Sequence, residues 1–267
     1  MNVESRLDLI LPPGRMVTSE EGHGTVQPLW LSDSPPTVEL WPRLRAEHAA
    51  SGLWPLLCGP LHPHEADFRP WACGELSPER MSSPADHDPE TVLTRWWRDY
   101  TATDEDDDQL DTEERLAVTD PFGQSWPGLT PSATPVQNAD AIADQYAQAF
   151  LSQHPHARLG LVAAPRGADA LTTAGWNGPV NYDNDTAVFS AVVRDWEDRF
   201  GARVVGVGLS TLHLSVAAPP SRLEGALRIA AEHFAFCPDN VWQGAHRDLA
   251  TYAEDLIGLN CWDFWWD

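Results

Sequence analysis

The chain closes on Cys261-Trp262-Asp263-Phe264-Trp265-Trp266-Asp267, where Trp262, Phe264 and Trp266 alternate with Cys261, Asp263 and Trp265. A period of two belongs to a β-strand with one buried face. Three large aromatics on that face carry too much apolar surface to be left in water as a tail. The last residues are therefore expected to form a strand locked into a core.

The pattern upstream supplies the elements such a strand needs. Residues 159–163 are a continuous apolar run that reads as a strand. Residues 185–200 read as a helix with Phe189, Val192, Val193, Trp196 and Phe200 on one stripe, Asp185 as its N-cap and Gly201 as its stop. Residues 203–209 and 212–217 read as a hairpin with Val205, Val207, Leu212, Leu214 and Val216 inward. Ser221-x-x-Glu224 has the form of a capping box opening a helix with Leu223, Leu227, Ala230 and Phe234. Leu249, Tyr252, Ala253 and Leu256 mark a further helix. The order β-α-β-β-α-α-β implies an α+β fold: a mixed or antiparallel C-terminal sheet with helices packed on one face. A helix is also expected over 138–153.

The front of the chain is rich in Trp and Pro. Strands are expected at 7–11 and 28–31 and helices at 41–50 and 91–100, while the apolar run 53–58 fits either type. Residues 104–114 hold eight carboxylates, and four prolines follow between 120 and 136. The organisation read from this is a Trp/Pro-rich region over 1–100, an irregular, mobile acidic and Pro-rich connection over 101–136, and an α+β domain over 137–267.

Composition excludes several chemistries. All 17 basic residues are arginine, with no lysine in the 267 residues. A phosphate-binding loop with its Lys, a Schiff-base enzyme and a Ser-Lys dyad are thereby ruled out. The formal net charge of -23 disfavours nucleic acid and anionic membrane surfaces and suits a basic protein partner. No signal peptide and no membrane-spanning run is read, and Cys58, Cys73, Cys237 and Cys261 lack C-x-x-C spacing. A cytoplasmic protein with buried thiols is expected. The 13 Trp are read as core filling, with a sugar-binding groove as the alternative.

Chemistry-bearing residues gather around Glu232-His233 and Cys237-Pro238-Asp239. A Cys near a His, with a carboxylate to orient the base, is the pattern of an activated nucleophile. The same residues serve equally as a core stripe, a helix stop and a cap, and this structural reading is preferred. His213 lies mid-strand on the face opposite Leu212, Leu214 and Val216, and would join a site only if it came near His233 or Cys237. His62-x-His64-Glu65-x-Asp67 has metal-ligand composition, but Pro63 and the lack of a second ligand pair weaken it. Asp104-x-Asp106-x-Asp108 lacks the Gly and Glu of a calcium loop, having Gln109 and Arg115 there. No metal, cofactor or committed catalytic residue is read.

The stretch 200–208, Thr211-Leu212-His213-Leu214-Ser215-Val216, the passage from Glu232-His233-Phe234 into Cys237-Pro238-Asp239, Gln243-Gly244 and the closing Phe264-Trp265-Trp266-Asp267 resemble the domain-of-unknown-function 4253 family. The resemblance is strongest over 159–267. It implies a bacterial protein of actinomycete type and carries no activity or site residue with it. The functional expectation is a non-enzymatic acidic protein-binding module, immunity-like or regulatory. The alternatives are a small hydrolase or transferase using Cys237, His233 and Asp239, perhaps with His213, and a ligand-binding module with an aromatic cleft between the halves.

Overall fold

The computed structural model describes residues 3–20, 26–62, 67–102, 112–135 and 137–267. In chain order the elements are β1 (Gly14–Val17), β2 (Leu29–Ser32), α1 (Leu40–Ser51), β3 (Leu53–Cys58), α2 (Pro89–Thr101), α3 (Thr112–Val118) and α4 (Ala139–Gln153). There follow β4 (Arg158–Ala163), α5 (Gly167–Ala174), α6 (Thr186–Phe200), β5 (Arg203–Val207), β6 (Thr211–Ser215), α7 (Leu223–Phe236), α8 (Asp239–Trp242), α9 (Leu249–Leu256) and β7 (Cys261–Trp265). The strands form one mixed sheet in the order β1-β2-β4-β3-β5-β6-β7. Its pairs are antiparallel except β3 with β5. The fold class is α+β.

β4 inserts between β2 and β3, so one sheet draws strands from both sides of the 101–136 connection. α5, α6, α7 and α9 pack with α2 on one face, against Trp54, Leu56, Val204, Val207, Leu212, Leu214, Trp262 and Phe264. The helices of the β-α-β-β-α-α-β run therefore share a face, as expected. The opposite face is not bare: α1 and α4 cover it, with Trp41, Leu44, Ala143, Ala147 and Phe150 on Leu53, Leu57, Leu159, Leu161 and Val205. Ten Trp side chains are buried, which makes the Trp excess core filling; Trp265 alone among the Trp is exposed, at 39%.

Several local expectations are corrected. No strand forms at 7–11; the first strand is β1, beginning at Gly14. A Cβ at Gly14 would lie 2.3 Å from the Trp30 ring, so glycine is what lets this strand close on its neighbour. Val205 does not share a face with Val207. A bulge between Val204 and Gly206 turns Val204 and Val207 toward the α6 side and Val205 toward α4. The capping box does not form. Arg222 holds the N-cap position of α7 without a side-chain cap bond, while the Pro220 carbonyl accepts from Gly258 N at 2.9 Å. The expected cap and stop of α6 are both present: Asp185 accepts from Ala187 N, and Gly201 is left-handed.

The 101–136 stretch, expected to be irregular and mobile, contains α3 among its described residues and is hydrogen-bonded to the core at Thr130. Fully buried Glu232 accepts from Thr130 N at 2.7 Å, from Trp196 Nε1 at 2.8 Å and from Arg199 Nη2 at 2.5 Å, and Arg199 Nη1 donates to the Thr130 carbonyl at 2.7 Å. Glu232 thus joins α6, α7 and the Pro-rich segment in one hydrogen-bonded knot. Removing one partner from such a buried pair costs roughly 3–5 kcal/mol. Residues 103–111, which hold most of the acidic run, and His64 and Glu65 lie outside the described residues.

Candidate functional site

The Cys237 turn belongs to the α6 face of the sheet. Cys237 and His233 are fully buried and Asp239 is 1% exposed. Burial pushes the Cys237 thiol well above its usual range, against weaker opposing hydrogen bonds. His233 sits among Trp196, Trp262 and Phe264 with its Nδ1 3.0 Å from the Tyr252 hydroxyl, and burial lowers its pKa to about 3. Neither a thiolate nor an imidazolium is favoured there.

What the turn does is seal the sheet. β7 is an edge strand, and its outer polar groups need partners. Asn240 Nδ2 donates to the Asp263 carbonyl at 2.7 Å, while its Oδ1 accepts from Trp265 N at 3.2 Å. Cys237 Sγ donates to the Trp265 carbonyl at 3.0 Å, and Asp239 Oδ2 accepts from Asp267 N at 3.0 Å. The Cys-Pro-Asp-Asn sequence thus imitates one further strand with side chains.

His213 lies on the other face, under α4, and is not brought together with His233 or Cys237. Across the β6–β7 pair it stands opposite Asp263. Its Nδ1 is 2.7 Å from Asp263 Oδ1, and its Nε2 is 3.2 Å from Thr211 Oγ1. The Tyr146 hydroxyl donates to the same carboxylate oxygen at 2.5 Å. Lost hydration raises the Asp263 pKa, but the His213 hydrogen bond and charge and the Tyr146 hydroxyl outweigh it, so the pKa falls. An ionised carboxylate only accepts, so Nδ1 carries a proton toward Asp263 and Nε2 is the ring nitrogen that faces the Thr211 hydroxyl. His154, stacked on Phe150 at 4.2 Å, has its pKa lowered chiefly by burial and secondly by His213.

Thr211, His213 and His154 line a cavity of about 400 Å3, with Gly59, Pro60, Leu61, Phe150 and His156 also in its wall. A second cavity of about 450 Å3, walled by Trp176, Asn177, Asn181, Asn184 and Asp267, adjoins it. Leu209, Ser210 and Trp265 line both. Gly59 and Gly208 follow the carboxyl ends of parallel β3 and β5, a place where open sheets commonly take ligands. Among the described residues, no group of three or more His, Cys, Asp or Glu is placed to hold a metal ion.

Sequence reading found His213 but not Thr211, Asp263, Tyr146 or His154. A signal was present. Thr211-x-His213 puts two polar side chains on one strand face, and Asp263 falls between Trp262 and Phe264 on the polar face of the closing strand.

The chain thus has the fold of a mixed-sheet α+β protein with a cleft at one sheet end. Residues 158–267, from β4 through β7, match the family model described as Domain of unknown function (DUF4253), and this part of the chain is similar to that family. No curated protein and no solved structure matches the chain.

Proposed function

We propose that the chain is a ligand-binding protein whose ligand occupies the double cavity around Trp265. The observation that carries this is the position of Trp265, the one exposed Trp, between two adjoining cavities whose walls come from both parts of the chain. The cavity on the His213 side is lined mainly by apolar groups, with no acidic or arginine side chain in its wall among the described residues, whereas Glu75, Arg80 and Asp267 lie in the wall of the adjoining one. The occupant it suits is uncharged, with an apolar or aromatic part to lie on the indole. The test is calorimetric titration with 4-nitrophenyl butyl ether. Saturable binding that Trp265→Ala weakens at least about tenfold, about 1.4 kcal/mol, supports the reading. Equal binding by the variant, or none by either protein, overturns it.

A second reading is the acidic protein-binding module, immunity-like or regulatory, favoured by the net charge of -23. A basic partner held by that charge leaves near 1 M salt, where the Debye length is about 3 Å. A pull-down whose partner survives 1 M salt undiminished would sink it. The hydrolase reading on Cys237, His233 and Asp239 has lost its geometric basis, since thiol and imidazole are sealed in the core. A cytoplasmic, bacterial protein of actinomycete type remains part of the proposal. The four free thiols suit the cytoplasmic part of it.

A further inference from the structure

We infer that Thr211, His213 and Asp263 form a hydroxyl–imidazole–carboxylate relay that transfers the acyl group of a small uncharged carboxylic ester entering the cleft. The inference rests on the ligand-binding reading and adds a reaction to it.

Three features carry it. The order of groups is that of a nucleophile, its base and the base's orienter. Asp263 Oδ1 fixes Nδ1 at 2.7 Å, so Nε2 is the free basic nitrogen, and Nε2 faces Thr211 Oγ1 at 3.2 Å. The geometry is rigidly built, because all three residues sit on paired strands β6 and β7 and the Tyr146 hydroxyl holds the carboxylate from α4. Finally, Thr211 and His213 both line the cavity, so the relay opens onto the place where a ligand would lie. A cross-strand His–Asp pair serving stability alone needs neither the hydroxyl at Nε2 nor the cavity. The ester is uncharged because the His213 side of the cleft holds no arginine among its described residues to receive an anion, Arg80 lying in the wall of the adjoining cavity, and the net charge of -23 repels one.

The reaction balances as ester plus water giving acid plus alcohol. Thr211 Oγ1 attacks the carbonyl carbon while its proton passes to His213 Nε2. The bond from that carbon to the alcohol oxygen breaks, and Nε2 returns the proton to the departing alcohol. Water then adds to the acyl-Thr211 carbonyl, giving its proton to Nε2. The carbon–Oγ1 bond breaks, Oγ1 recovers the proton, and the acid leaves. Asp263 stays ionised throughout and steadies the imidazolium.

The test uses 4-nitrophenyl butyrate with the full chain. The expected results are release of nitrophenolate and one butyryl group on the peptide holding Thr211 after an acid quench. Thr211→Val keeps the side-chain shape without the hydroxyl, and it should lose both signals while its thermal midpoint stays near that of the parent. Thr211→Ser should retain turnover. His213→Gln and Asp263→Asn should lose about 10²–10⁴-fold in rate. Parent-like turnover by Thr211→Val, or acylation elsewhere, overturns the relay. The non-hydrolysable 4-nitrophenyl butyl ether separates the two levels. Ether binding without ester cleavage overturns the relay and leaves the ligand-binding reading standing, whereas neither binding nor cleavage overturns both.

Discussion

At the scale of single residues, burial decides which titratable groups are chemically available. His233 is neutral in the fold, with its pKa lowered from 6.5 to about 3 by burial. The sign follows directly. Between pH 6.5 and about 3 the unfolded chain takes a proton that the folded chain refuses, so stability is full above 6.5 and is lost as pH falls. The loss is roughly 1.4 kcal/mol per pH unit across that window. His233→Gln should flatten the acid-side fall in urea midpoint between pH 7 and pH 5; parallel curves for the two proteins would contradict this. The cysteines follow the same logic. Burial raises Cys58 and Cys237 most, while Cys73 and Cys261, partly exposed, rise to about 11. Peptide mapping after iodoacetamide at pH 7 should find slow modification, with Cys73 and Cys261 ahead of Cys58 and Cys237. Rapid modification of Cys237 would restore the thiol to consideration.

At the scale of elements, β7 and the turn that seals it hold the end of the sheet. Trp262, Phe264 and Trp266 are each 1% exposed and pack on Trp196, Phe200, Phe236 and Trp176. Truncating one core aromatic costs roughly 3–5 kcal/mol, against a whole-domain stability of about 5–15 kcal/mol. Ending the chain after Leu259 should therefore abolish cooperative unfolding. Asn240→Ala removes two edge hydrogen bonds and should cost about 1–3 kcal/mol in chemical unfolding, with increased aggregation from the bared edge. An unchanged midpoint would mean that the turn does not support the strand.

The legible elements were those whose signal is local. α6 was read from its aromatic stripe, Asp185 and Gly201, and β7 from its alternation. What escaped depends on distant partners. The insertion of β4 between β2 and β3 leaves no trace in 158–163, and the bulge at Val205 is fixed by pairing with β6. The helix α5, short and rich in small residues, carries no amphipathic stripe long enough to read. The candidate site was half legible for the same reason. His213 declared itself as a polar residue among apolar ones, but Asp263 becomes its partner only through the register of β6 with β7.

At the scale of the whole molecule, the sheet separates two sets of groups that look alike in sequence. On the α6 face, Glu232, His233, Cys237 and Asn240 are spent on holding helices, the Pro-rich segment and the edge strand together. On the α4 face, Thr211, His213 and Asp263 stand beside an open cleft that continues past Trp265. The central claim is that function lies at that cleft and not at the Cys237 turn. The most direct measurement is an indole 1H–15N spectrum of the 13 Trp side chains, assigned by substitution and titrated with 4-nitrophenyl butyl ether. The account predicts a saturable shift led by Trp265, with the core indoles of Trp196 and Trp262 unmoved. A spectrum in which Trp265 stays still, or in which the shifts centre on Trp242 beside the Cys237 turn, would contradict it.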